Sequence, residues 1–497
     1  VALFADAADS NNPYDNGKSF SPKGEIDKLL QKSWKKNGIT PAKMSSDATF
    51  MRRIYIDLIG TMPTLKEART FLNDKSKDKR KKLIDQLLAR EEFAQYWSLK
   101  WCDILRVKSE FPINMWPNAV QAFNHWVWES IKNKMPYDEF TRQLLTTSGS
   151  NFRESQVNFF RGTQDKTPAG FAKLAALTFM GTRIENWPEN NRKEFEKLFS
   201  RIGKKRTDEW KEEIIFLKPD PVDTMTVKMP DGKTLKVYED QDPRIAFADW
   251  LIKKDNPWFT HTAVNRVWYW LFNRGLVHEP DDFKIKGNTN TGNPSVNPEL
   301  LNYLAKEFAK SKYDFKQLCR LITNSATYQQ SCIPNTDIEK AEKHFAVYPI
   351  KRLDAEVLID SLSYFGKVQP KYMSVIPEPF TYIPRENRTI TLADGSISSS
   401  FLETFGRPSR DTGQLLERND DTTYAQRLFM LNSPTVIWKV SNSEKMREVL
   451  KEAKGNPKKV IDDIYLLILS RKATDKELMT VGSALKSLFP DLNKKGK

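Results

Sequence analysis

In residues 81–105, KKLIDQLLAREEFAQYWSLKWCDIL, apolar side chains return at Leu83, Leu87, Trp97, Trp101 and Leu105, the spacing of one face of an α-helix. Most of the chain carries the same periodicity, and polar residues mark where helices begin. Thr64 followed by Glu67, and Thr474 followed by Glu477, have the reciprocal spacing of a capping box. Asp314 with Gln317 gives a similar start to FKQLCRLI. Asn297 offers a capping side chain just before Pro298, which suits a first helical turn. Strict alternation is scarce. MTVKMPDGKTLKVYE predicts a hairpin near 226–238, with Val227, Met229, Leu235 and Val237 around an Asp231-Gly232 turn. RTITLADGSISSSF predicts a second hairpin near 388–401, turning at Asp394-Gly395. The pattern therefore predicts a mainly α fold with two short β-hairpin insertions.

A chain of 497 residues exceeds one ordinary core, so more than one domain is expected. The proline-rich FLKPDPVDTM follows a helical block, and DQDPRIAFADWLIKKDNPWF opens a new one. These shifts divide the chain into an N-terminal arm, 1–45, a first helical domain, 46–225, and a second, 226–490.

Hydrophobic residues at 39% and aromatics at 11% are enough to build packed cores, which excludes global disorder. The formal net charge of +15 favours anionic partners: nucleic acid, acidic membrane surfaces or acidic polysaccharide. The densest basic run, KSKDKRKK at 75–82, reads as a solvated helix start. The chain opens VALFADAADS without an initiator methionine, and this resembles the end of a signal-peptide apolar region with its small-residue cleavage site. The expected location is periplasmic or extracellular. No apolar run approaches the roughly 18–20 residues that a spanning helix needs. Three cysteines, Cys102, Cys319 and Cys332, exclude a disulfide framework. Cys102 and Cys319 sit in apolar helical patterns and read as buried thiols, while a Cys319–Cys332 bridge stays open.

His125, His261, His278 and His344 are far apart, with no metal-ligand spacing among them. There is no glycine-rich phosphate loop and no nucleophile elbow. Two stretches hold denser chemistry. The first, NRVWYWLFNRGLVHEPDDF at 265–283, carries Arg266, Trp270, Arg274, Asp281 and Asp282. Such aromatics and arginines stack on sugars or hold anions, and the carboxylates suit acid–base work or, with nearby Asn oxygens, calcium. The same residues also suit a core helix ending at Gly275 with a turn after it. The polar KGNTNTGNPSVN, 286–297, is expected at a surface or pocket rim.

The second stretch, FGRPSRDTGQLLERNDDTTYAQ at 405–426, carries Arg407, Arg410, Asp411, Glu417 and Arg418. Here a helix is expected from Asp421-Thr422, capped by Asp420 or Asp421, with Arg407 and Arg410 pairing with Glu417 and Asp411. The stretch reads either as a buried arginine–carboxylate network or as a cleft. The candidate catalytic carboxylates are Asp281, Asp282, Asp411 and Glu417. The candidate ligand-binding residues are Arg266, Trp270, Arg274, Arg407, Arg410 and Arg418.

RRIYIDLIGTMPTLKEARTFL at 52–72 resembles the opening of a planctomycete cytochrome-associated domain of unknown function. NPWFTHTAVNRVWYWLFNRGLVHEPDDF, NPELLNYLAKEF, LITNSATYQQS, KRLDAEVLIDSL, the 405–434 stretch and IYLLILSRKATDKEL resemble its usual C-terminal partner domain. The resemblance spans roughly residues 46–485. It implies an exported, largely helical protein from bacteria rich in secreted sulfatases and polysaccharide-degrading machinery, and it implies no known reaction. Many relatives carry a Cys-x-x-Cys-His haem motif after a Phe-Leu-Gly-like run. Here that place reads TFMGTRIENWPENNRKEF, and Phe179-Met180-Gly181 is followed by neither cysteine nor histidine. Thioether attachment needs two thiols, so no covalent haem, and no other cofactor, is expected. What remains is the chemistry of polar ligands. The first expectation is an exported protein that binds or processes anionic, including sulfated, polysaccharide. The alternatives are a non-catalytic scaffold that docks a secreted sulfatase-like partner, and a nucleic-acid binder.

Overall fold

Helices set the architecture of the computed structural model, which describes residues 12–219, 223–283, 293–366, 369–377 and 381–488. They begin where the local chemistry places them. The Leu65–Asn73 helix starts at a reciprocal capping box, Thr64 Oγ1 accepting from Glu67 N at 3.2 Å and Glu67 Oε2 from Thr64 N at 2.8 Å. Thr474 and Glu477 repeat this before Asp475–Leu488. Asp314 and Asn297 cap Phe315–Thr323 and Pro298–Lys310. Thr64→Ala is expected to lower stability by about 1 kcal/mol, read as a shift in the urea midpoint at unchanged slope.

Strands are few among the described residues. Met225–Lys228 and Thr234–Val237 pair antiparallel around the Asp231-Gly232 turn, in the register Val227 to Leu235. A three-stranded sheet, in the order Gly149–Ser150, Glu213–Leu217, Ile202–Arg206, was not expected from the alternation. The second predicted hairpin is a correction. Residues 388–401 hold a 3-10 turn, Thr389–Thr391, and the start of the Ser400–Thr404 helix. The amide groups a ladder would use are taken by carboxylates. Asp360 accepts from Thr389 N and Ile390 N at 2.7 and 3.2 Å, and Asp394 accepts from Ser396 N at 2.9 Å.

One apolar cluster draws side chains from Ile26 to Leu466. Its aromatic centre is Trp101, with Tyr137, Trp270 and Phe315 at centroid distances of 5.5, 5.7 and 5.6 Å. A smaller cluster gathers Ile359, Leu362, Phe401, Leu402, Phe405 and Val436. The first helix, Glu25–Asn37, packs on Pro298–Lys310 and is fixed by its buried Asp27. That carboxylate accepts from Ala326 N at 3.0 Å, Thr327 N at 2.9 Å and Thr327 Oγ1 at 2.8 Å, as well as from Lys23 N at 2.8 Å. Cys102, Cys319 and Cys332 are free thiols, the first two buried. Among the described residues no helix is long and apolar enough to cross a membrane.

Candidate functional site

Three helices and two loops converge on one cavity. Ser46 caps the Asp47–Ile59 helix, in which Arg53 and Asp57 lie one turn apart on one face. Asp57 Oδ2 accepts from Tyr328 Oη and Tyr348 Oη, each at 2.7 Å, and its Oδ1 pairs with Lys351 Nζ at 2.7 Å. Arg53 donates to the carbonyls of Tyr328 and Gln330 at 2.5 and 2.9 Å and lies 3.5 Å from the centroid of the Tyr348 ring. The Glu91–Ile104 helix presents Tyr96, Lys100 and Asp103 at i, i+4 and i+7, again one face. Tyr96 Oη and Lys100 Nζ both reach Asp354 Oδ2, at 2.5 and 3.1 Å. The Pro257–Phe272 helix supplies Tyr269 and Trp270 from its last turn, with the Trp270 ring edge-on to Trp97 and Trp101.

The 405–423 loop closes the other side, and it is tightly folded. At Gly406, φ is +80° and a Cβ would lie 2.0 Å from the Asn419 carbonyl oxygen, so no other residue fits. Arg352 donates to the carbonyls of Phe405 and Asn419, tying the two ends together. Glu417 folds the middle, accepting from the amides of Asp411, Thr412 and Gly413 at 2.8, 3.0 and 3.1 Å. Its loop arginines turn inward. Arg410 pairs with Asp103 at 2.8 Å, Arg407 with Glu356 at 3.2 Å, and Arg418 with Asp103 and Glu356 at 2.7 and 2.8 Å.

This corrects the expected pairing of Arg407 and Arg410 with Glu417 and Asp411. Glu417 is consumed by its own loop's amides, and Asp411 pairs with Lys108 at 2.6 Å. The following helix, Tyr424–Asn432, is capped by Thr423 with Gln426 rather than by Asp420 or Asp421. That leaves Asp420 free to face the cavity.

The cavity has a volume of about 380 Å³. Its lining holds seven basic side chains against four acidic ones, so its formal balance is positive. Among the described residues Arg52, Arg53 and Arg352 form no ion pair, and they donate to backbone carbonyls. Burial pushes the Arg52 guanidinium down to about 10, the mark of a cation without a counter-charge. Tyr96, Tyr269, Trp270 and Tyr348 add aromatic surface.

Two lining carboxyls are shifted in opposite directions. Burial raises Asp354, but the charges of Lys100 and Arg418 outweigh it and hold that carboxyl well below the usual range. Burial raises Asp420, and the charge of Asp354 adds to the effect.

The sequence candidates fall in three places. Trp270 and Arg418 line the cavity. Arg407, Arg410, Asp411 and Glu417 build the loop that encloses it. Asp281 is buried behind, paired with Arg266 at 3.2 Å and accepting from Leu415 N at 2.6 Å, which joins the two singled-out stretches. Arg266 also donates to the carbonyls of Leu177 and Thr178. Arg274 and Asp282 are not on the cavity wall, and Arg274 neighbours Glu342 instead. Asp281, Asp282, Asp411 and Glu417 thus do not converge on one pocket. Most of the polar 286–297 loop lies outside the described residues. Among the described residues no group of three His, Cys, Asp or Glu side chains is placed to hold a metal ion.

Sequence reasoning missed Arg52, Arg53, Lys100, Lys351, Arg352, Asp354 and Asp420. A signal was present in RRIYIDLIG, where charges interrupt an otherwise apolar helical stretch, and in KRLD, a charged run just before the Ala355–Gly366 helix. Residues 25–210 match the model of the PSCyt2 family, a protein of unknown function (DUF1549), and residues 243–485 match that of the PSD1 family, a protein of unknown function (DUF1553). No curated protein and no solved structure matches the chain.

Proposed function

We propose, for a chain that belongs to the PSCyt2 family in its first half and to the PSD1 family in its second, that the cavity binds an anionic polysaccharide, sulfated ones included, and that the protein works outside the cytoplasm without haem. The observation that carries this reading is the set of three guanidiniums, Arg52, Arg53 and Arg352, that share an aromatic-lined cavity and form no ion pair among the described residues. A sulfate or carboxylate group supplies the counter-charge that Arg52 lacks and adds to the attraction Arg352 feels from Asp420 and Asp354, with charge-assisted hydrogen bonds. The tyrosines and Trp270 offer faces for sugar rings. Of the carboxyls facing the cavity, Asp420 is shifted toward the protonated form and Asp354 toward the anion, the roles that processing of a bound glycan divides between two carboxyls.

Titration with a sulfated oligosaccharide and its desulfated form tests the reading. Binding is expected only for the sulfated form, weakening with salt, with affinity at least about tenfold lower in Arg52→Ala. Equal affinity for both forms sinks it. The pH dependence has a defined sign. Burial and the charge of Asp354 shift the Asp420 carboxyl upward, and its protonation removes a negative charge from the cavity. Affinity for an anionic glycan therefore rises as Asp420 takes up its proton with falling pH. Asp420→Asn is expected to bind at the tight end throughout, and a flat wild-type profile from about pH 7 to 4 contradicts the assignment.

A further inference from the structure

We propose that the groove between the Pro257–Phe272 and Pro298–Lys310 helices is a second binding site, one for a tetrahedral oxyanion, the sulfate or phosphate group. The two helices pack on each other, and the groove has a volume of about 540 Å³. Pro257, Thr260 and His261 recur at i, i+3 and i+4 on one wall, and Asn302, Lys306 and Ala309 at i, i+4 and i+7 on the other. The small side chains of Ala305 and Ala309 leave the room between the walls. Thr260 is only 5% exposed, yet its hydroxyl makes no hydrogen bond among the described residues. A nearly buried hydroxyl without a partner is costly, and a hydrogen-bonding ligand in the groove removes that cost.

The charge of the lining selects the ligand. Lys254, Lys306 and Lys310 face one carboxylate, Asp255, and Lys233 already engages it at 3.2 Å. Lys310 reaches Glu307 at 3.6 Å, whereas Lys254 and Lys306 form no ion pair among the described residues. Lys254 stands just ahead of the first helix and Lys306 on the second, so each side of the groove contributes an ammonium group. A metal ion would be repelled there, and a neutral ligand would leave both charges unanswered. Asn256 Oδ1 already accepts from the amides of Trp258 and Phe259 at 3.1 and 3.5 Å, so recognition falls to side chains. Burial pushes the His261 imidazole down against the opposing hydrogen bond with Asn302, so at neutral pH the ring adds no charge. Two ammonium groups and a hydroxyl act as separate point donors. They suit an ion with oxygens in several directions better than a planar carboxylate. The groove shares no lining residue with the cavity, and Thr260 lies nine residues before Tyr269, about 14 Å along the helix.

The chain has only four histidines, so imidazole NMR of the full chain reports on the groove directly. The His261 signal is identified by its loss in His261→Asn. It is expected to shift saturably with inorganic sulfate, inorganic phosphate or a sulfated oligosaccharide. Saturation by the inorganic ions assigns a site for the free ion, and a response to the oligosaccharide alone assigns the sulfate ester of a glycan. The combined variant Lys254→Gln and Lys306→Gln changes two exposed positions, so its thermal melt is expected to be unchanged while its affinity falls at least about tenfold. Thr260→Val removes a hydroxyl that makes no internal bond, and it is expected to weaken binding about fivefold without lowering the melt. No saturable shift of His261 with any of the three probes overturns the proposal, as does equal affinity in the double-lysine variant. A parallel drift of all four histidines is a general salt effect and overturns it too. Arg52→Ala is expected to leave the His261 response intact, so the groove and the cavity stand or fall separately.

Discussion

Glu356→Ala is expected to lower the unfolding free energy by about 3–5 kcal/mol, among the largest effects of any single substitution. Glu356 is fully buried and lies between two guanidiniums, with Arg418 Nη1 at 2.8 Å and Arg407 Nε at 3.2 Å. Removing the carboxylate leaves the charge of Arg407 in the interior with only carbonyl partners, those of Asp394 and Ile397. Arg418 keeps Asp103, so the damage concentrates on Arg407. Glu356→Gln preserves volume and one acceptor and is expected to lose less. The combined change Glu356→Leu with Arg407→Met removes both charges and is expected to recover part of the loss, because an apolar pair of similar volume avoids desolvating ions. Chemical denaturation of the three variants separates these terms. A loss below about 1 kcal/mol in Glu356→Ala would show that water reaches the network.

The second large effect is expected at Asp27. Its carboxylate satisfies the buried amides of Ala326 and Thr327, at 3.0 and 2.9 Å. Each buried amide left without a partner costs roughly 1–3 kcal/mol. Asp27→Ala is therefore expected to cost about 3–5 kcal/mol once the lost helix-start bond from Lys23 N is included. Asp27→Asn keeps an acceptor oxygen but presents a donor group to one of these amides, so it is expected to fall between wild type and alanine. Hydrogen exchange offers a local readout. The amides of residues 326 and 327 should lose protection in Asp27→Ala before the remaining helices do. Uniform loss across the chain would argue against a local role.

What could be read in advance follows from the range of the forces. Capping at Thr64 and Thr474 and the turn at Asp231-Gly232 are settled within four residues, so they were legible. The second hairpin failed because the deciding group, Asp360, lies about thirty residues away in another helix. The three-stranded sheet escaped because Gly149 pairs with Ile215, a partner no local pattern announces. At the cavity, Trp270 and Arg418 stood out because they sit in dense polar or aromatic runs. Arg52, Arg53 and Lys100 did not, since charges in an amphipathic helix read as a solvated face. Asp354 and Asp420 become a pair only when two segments more than sixty residues apart are folded together.

The clamp made by Arg352 has a further meaning for divergence. It grips main-chain oxygens at Phe405 and Asn419, groups that every residue type possesses. The ends of the loop are thus held without regard to side-chain identity at the gripped positions. Between them, Gln414 faces the cavity and is not part of the buried arginine–carboxylate lattice. Such a position can change its chemistry while the enclosure keeps its shape. The loop works as an interchangeable panel in a fixed frame, the place where chains of this architecture can acquire different ligand preferences without rebuilding the fold.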